Sequence, residues 1–131
     1  MIGLDTNILV RFLVRDDEAQ HAAVVAALRR GAEAGETFFV GDVVLAEVCW
    51  VLSSRYRCSR DELAAVVRQL TEAEELAFES TERVVRALRA FQHGKGGFAD
   101  YLIGSRAHDA GCSAVLTFDR ALLAEPGFDR P

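Results

Sequence analysis

The chain has 131 residues, half of them hydrophobic, and 20 acidic against 15 basic side chains give it a net charge of −5. Such a chain is one compact domain with a real core rather than a disordered segment. No apolar run reaches the roughly 18 residues of a membrane span, and Asp5 and Arg11 interrupt the apolar start where a signal peptide would lie, so a soluble, cytoplasmic protein is expected.

Met1-Ile2-Gly3-Leu4 reads as a short buried strand, and Ile8-Leu9-Val10 with Phe12-Leu13 as the helix that follows almost at once. Asp5-Thr6-Asn7 therefore occupies a strand-to-helix turn. In an α/β sheet the carboxyl ends of the strands face the functional crevice, so Asp5 points there, unless it or Asn7 only caps the helix. A second helix runs from Asp16-Asp17 through Val24, Ala27 and Leu28, with Gly31 and Gly35 as stop signals. Thr37 to Val40 is β-prone, and Gly41-Asp42 turns into a third helix with Asp42 as its N-cap.

That third helix is apolar nearly all round, at Val43-Val44-Leu45-Ala46 and Val48-Cys49-Trp50-Val51-Leu52, with Glu47 in its middle. A buried carboxylate needs a partner, and no basic residue stands one turn away. A cation from another segment or a metal is expected to meet it, the plainer alternative being that Glu47 reaches the surface.

Ser59 and Glu62 form a capping-box pattern ahead of Leu63, Val66, Val67 and Leu70 on one helical face. With the preceding helix this makes a hairpin hinged near Arg57-Cys58, whose apolar face completes the core or receives a partner. Glu75 to Phe78 is a short third strand. A helix begins at Ser80 or Thr81 with Val84, Leu88 and Phe91 inward, and Arg83, Arg86 and Arg89 form a stripe along its other side. A solvated face explains that stripe; RNA phosphates are the alternative.

His93-Gly94-Lys95-Gly96-Gly97 is a flexible loop leading to Phe98-Ala99-Asp100. Asp100 starts a helix that reaches Ala110 and stops at Gly111. Ala114 to Phe118 is a strand ended by Asp119, and Phe128 to Pro131 offers a stub of a fifth. The alternation of strands and helices predicts a three-layer α/β/α domain over residues 1–131, with a mainly parallel central sheet of four to five strands.

If the first and fourth strands are neighbours, Asp5 and Asp119 emerge side by side, with Asp100 at an adjacent helix start and Glu47 entering from its helix. Carboxylates that close repel by about 4 kcal/mol per pair at 4 Å and an effective dielectric near 20, so cations are expected between them. An all-oxygen set favours Mg²⁺ or Mn²⁺ over zinc, and two such ions suit metal-assisted hydrolysis of a phosphodiester. A negative net charge argues against gripping nucleic acid by overall field, but not against such an enzyme. His21, His93 and His108 are scattered, and Cys49, Cys58 and Cys112 lack zinc spacing and suit reduced thiols, so none is given a role.

Asp5-Thr6-Asn7 after an N-terminal strand, Glu47 in an apolar helix, Asp100 in Phe-Ala-Asp-Tyr and Asp119 in Thr-Phe-Asp-Arg together resemble the PIN domain, and more narrowly the VapC-type toxins of bacterial toxin–antitoxin systems. The resemblance covers essentially the whole chain. It implies an Mg²⁺- or Mn²⁺-dependent endoribonuclease, usually a homodimer, restrained by a VapB-type antitoxin in a groove of apolar helices. It also implies that Asp5, Glu47, Asp100 and Asp119 bind metal or organise the attacking water, with Thr6, Asn7 and Thr117 holding them by hydrogen bonds. The clipped C-terminus departs from the family's fuller fifth strand. A catalytically inert, partner-binding module of the same fold is the alternative; a haloacid-dehalogenase-like phosphatase would want a second aspartate at position 7 and a later lysine at the site, where Asn7 and the single Lys95 stand.

Overall fold

The computed structural model describes all 131 residues. In chain order the elements are β1 (Ile2–Gly3), α1 (Thr6–Leu13), α2 (Glu18–Glu33), β2 (Phe38–Val40), α3 (Asp42–Ser54), α4 (Arg60–Glu72), β3 (Leu76–Phe78), α5 (Thr81–His93), α6 (Phe98–Asp109), β4 (Val115–Leu116), α7 (Arg120–Leu123) and β5 (Phe128–Asp129). Each of the first four strands runs into a helix, and every ladder is parallel, as a layered α/β fold requires. No helix is long and apolar enough to cross a membrane.

The expected single sheet of four to five strands is instead two ladders. One has three strands in the order β1-β2-β3, and the other pairs β4 with β5. The adjacency of the first and fourth strands, on which the meeting of Asp5 and Asp119 was built, is not hydrogen-bonded. Ile2 and Leu4 donate to the carbonyls of Thr37 and Phe39, just before and within β2, whereas Val115 and Thr117 donate to Gly127 and Asp129. β1 pairs with β2 and β4 with β5, and no ladder joins β1 to β4. The fifth strand is formed, and Phe128 anchors it in the core.

Leu9 and Val10 of α1, Phe38 and Val40 of β2, Leu45, Val48 and Leu52 of α3, Val84 and Phe91 of α5, and Phe98 and Leu102 of α6 share one apolar cluster. The hairpin's second arm contributes Leu63, Val67 and Leu70, so that face completes the core, and the Ser59–Glu62 capping box forms as its spacing predicts. Helix α2 runs through Gly31, where absence of a Cβ lets the Phe38 ring approach, and stops at Gly35 with φ +77°. Helix α6 likewise has Gly104 against the Phe128 ring, which docks the β4–β5 ladder onto that helix.

The polar centre of the fold is Asp42. Gly41 caps α3 and Asp42 is its first helical residue, only 4% exposed. Its Oδ2 accepts from Arg83 Nη1 at 2.7 Å and from Arg106 Nη1 at 2.8 Å, while Oδ1 is buried without a partner. Glu79, at the end of β3, accepts from the Asp42 amide at 2.8 Å and from Arg106 at 2.9 Å. Asp109 accepts from Arg83 Nε at 2.8 Å and from Arg86 at 2.6 Å. The arginine stripe of α5 is therefore not a simply solvated face: Arg83 and Arg86 are bound within the molecule, and they join α5 to α3 and α6.

The Asp42 amide, helped by Arg106 and Arg83, holds the Glu79 carboxyl below its ordinary range, and Arg83 and Arg86 do the same for Asp109. A depressed folded-state pKa stabilises above the unfolded value near 4 and is lost as pH falls through the folded value. The Tm of the chain should thus hold steady from pH 7 downward and begin to fall below about pH 4. Asp42→Ala, which leaves Arg83 and Arg106 facing a cavity without their shared carboxylate, should cost about 3–5 kcal/mol in denaturant unfolding at neutral pH.

Candidate functional site

All four acids singled out by sequence lie at helix starts or on helices that leave the ends of strands. Asp5 follows β1 and caps α1, its Oδ1 accepting from the Ile8 amide at 3.0 Å. Asp100 stands in the first turn of α6, and its Oδ2 accepts from the Gly97 amide at 3.1 Å. Phe98 is therefore the first helical residue, and Asp100 folds back on the turn before it. Asp119 follows β4 and caps the short α7, its Oδ1 accepting from the Ala121 amide at 2.9 Å.

Glu47 is exposed rather than buried, which corrects the expectation drawn from its apolar neighbours. Val43, Glu47 and Trp50 recur at the spacing of one helical face, and all three face outward while Leu45, Val48, Cys49 and Leu52 face the core. The apolar residues on the outer face hid the helix's amphipathic character. Glu47 Oε2 accepts from the Thr6 hydroxyl at 2.9 Å, which ties the α1 start to the middle of α3.

Of the supporting residues, only Thr6 bonds one of the four carboxylates. Thr117 Oγ1 accepts from the Asp119 amide at 3.0 Å and so shapes the turn. Asn7 is exposed and makes no bond to any of the four. Helix α3 packs on both α1 and α6, placing Glu47 on the helix between those that carry Asp5 and Asp100. The segment carrying Asp119 is fastened to α6 by Phe128 against Gly104 and by Glu125, which accepts from the Tyr101 hydroxyl at 2.9 Å. No three His, Cys, Asp or Glu side chains close into one group ready to hold a metal.

A common pattern runs through the four acids. Each has one carboxylate oxygen fixed by a donor of the chain and the other free of hydrogen bonds, and none is in an ion pair. Fixing one oxygen orients the side chain and leaves one lone-pair face for a ligand. In donor chemistry such a set fits a hard, oxygen-seeking divalent ion.

Sequence reasoning missed the residue that builds the ground under Asp100. The loop from His93 to Gly97 is pinned, not free: Arg60 at the start of α4 donates to the carbonyls of Gly96 at 2.7 Å, Phe91 at 2.8 Å and Gly94 at 3.0 Å. Its guanidinium also lies 4.1 Å over the Phe91 ring. The Tyr101 hydroxyl accepts from the Gly96 amide at 3.0 Å. A Cβ on Gly96 would come within 2.6 Å of Leu122, so the glycines here serve close packing. No sequence signal marks an arginine more than thirty positions earlier as the partner of carbonyls in this loop.

A family model described as the PIN domain matches residues 2–127. The chain belongs to the PIN domain family. It is also similar to a VapC ribonuclease of Aquifex aeolicus (strain VF5), with 26% identity over 117 residues that span 89% of this chain and 86% of the relative. The family match takes in all four acids, so this PIN domain carries its acidic residues within the shared fold rather than on an appended segment.

The three thiols of this PIN domain differ in surroundings. Cys49 is buried beneath the outer face of α3 and burial pushes its thiol up to about 12, whereas Cys112 is exposed. Replacing Arg60 with alanine removes the three carbonyl bonds while leaving all four acids in the chain. It should cost about 2 kcal/mol and raise amide hydrogen exchange selectively at Gly96 and Gly97, whereas unchanged exchange there would refute the pinning role.

Proposed function

We propose that this PIN domain is an endoribonuclease that hydrolyses RNA phosphodiester bonds with Mg²⁺ or Mn²⁺ at Asp5, Glu47, Asp100 and Asp119, and that it is the toxin of a VapBC-type pair. The observation that carries the reading is the set of four carboxylates at helix starts and on α3, each anchored through one oxygen, free at the other and unpaired with any base. Similarity to a VapC ribonuclease supports RNA as the substrate.

Divalent ions bound there would polarise the phosphodiester, lower the pKa of a bound water and steady the leaving oxygen. The chain's own part is placement. Asp5, Asp100 and Asp119 present oxygens whose direction is set by the amides of Ile8, Gly97 and Ala121. Glu47, steadied by Thr6, stands on the exposed face of α3, where a carboxylate can accept a proton from an attacking water. The proposal extends to a homodimer in the cytoplasm, restrained by a cognate VapB-type antitoxin.

The test is cleavage of end-labelled structured RNAs in Mg²⁺, Mn²⁺ or chelator. Wild-type protein should cut only with metal, and Asp5→Asn or Asp100→Asn should reduce cutting to background with an unchanged circular dichroism spectrum, since each removes charge rather than core volume. Thr6→Val should slow cutting roughly tenfold to a hundredfold by releasing Glu47. Divalent binding without cleavage of any RNA would favour an inert, partner-binding PIN fold.

A further inference from the structure

Between α3, α4 and the first turn of α6 lies a cleft of about 330 Å³. Leu63, Phe91 and Phe98 form its floor, and Trp50, Ser53 and Asp100 stand around it. It therefore opens beside one of the four acids. Trp50 is the chain's only tryptophan, stands 65% exposed, and lies one turn beyond Glu47 on the same outer face of α3. With Val43, also exposed on that face, it makes an apolar surface of the kind that marks an interaction site.

The charge around the cleft names the chemistry of that cover. From Val48 to Arg60 there is no acidic residue, in a chain whose net charge is −5. Arg55 and Arg57 occupy the turn between Ser53 and Cys58, both of which line the cleft. Their side chains are exposed and enter no ion pair and no hydrogen bond, a state they share with Arg29, Arg30, Arg68, Arg89, Arg120 and Arg130, so what sets them apart is their place in the acid-free turn beside the cleft. Arg57 even takes a left-handed backbone with φ 55°, where glycine or asparagine would sit more easily.

An exposed aromatic on a helix that ends at exposed arginines, near carboxylates suited to metal, matches the way single-stranded nucleic acid is held: bases stack on aromatic rings and the backbone follows cations. From this we infer that the cleft is a nucleotide subsite for single-stranded RNA. A base flanking the bond to be cut stacks on Trp50, and phosphates on that side of the strand meet Arg55 and Arg57. The inference rests on the ribonuclease reading and gives it a direction, with the RNA leaving the acids along the α3–α4 hairpin. An apolar helix of another protein would cover Trp50 without drawing on either arginine.

Because Trp50 is the sole tryptophan, its fluorescence reports this cleft alone. In the Asp5→Asn protein, which does not consume the probe, a short oligouridylate should quench that fluorescence saturably and less tightly as salt rises. Trp50→Ala should weaken binding of the end-labelled probe about tenfold or more, with Trp50→Phe retaining most of it. Arg55→Gln and Arg57→Gln should each lower the slope of log affinity against log salt by about 0.7. Binding that leaves the fluorescence unchanged and ignores Trp50→Ala, in a protein whose wild type still cuts RNA, overturns the subsite and spares the ribonuclease. A Trp50 response to a protein partner alone, with RNA affinity indifferent to Trp50→Ala, also overturns it. Neither binding nor cleavage of any single-stranded or structured RNA removes both readings.

Discussion

The rest of the molecule depends on one buried carboxylate shared between two arginines. Asp42 at the start of α3 meets Arg83 of α5 and Arg106 of α6 through the same oxygen, and Glu79 closes the ring from the end of β3. Burying a charge is costly unless its partners are in place, so the three helices are held to one arrangement. Two of them carry acids proposed for the site, Glu47 on α3 and Asp100 on α6. Apolar packing between those helices is non-directional and tolerates sliding; the bonds to Asp42 set a definite relation between the helices that carry the two acids.

Two groups of acids in this chain are distinguished by what stands opposite them. Asp42, Glu79 and Asp109 face arginines and serve the fold, their charge answered inside the molecule. Asp5, Glu47, Asp100 and Asp119 face backbone amides or a hydroxyl, which orient a carboxylate without neutralising it. Their negative charge remains available to a cation. A net charge summed over the sequence cannot separate the two kinds, and for the same reason it says little about whether RNA can approach.

Support for the acids also comes from outside their own elements. Arg60 fixes the loop before Asp100 by carbonyl bonds that reach from the start of α4 to the end of α5, and Tyr101 with Glu125 fastens that loop to the segment that follows Asp119. The loop is rich in glycine because Tyr101 and Leu122 pack against its backbone, not because it must move. The outer face of α3, with Val43, Glu47 and Trp50 together, joins chemistry and exposed apolar surface on one helix.

Much of this was legible in the sequence. The order of strands and helices follows from periodicity and caps: Ser59 with Glu62, Ser80, Gly35 and Gly111 mark ends through local bonds or a positive φ that neighbours in sequence decide. The places of Asp5 and Asp119 at strand-to-helix turns, and of Asp100 at a helix start after a glycine loop, are local features as well. What only the tertiary structure decided are matters of distant contact. Glu47 was expected inside because apolar neighbours on both sides concealed which face of α3 meets the core, and that depends on where α1 and α6 pack. Asp42 read as a cap because its partners are Arg83 and Arg106, far along the chain. The two separate ladders, and Arg60 beneath the glycine loop, likewise arise from chain-wide packing, which residue spacing does not encode.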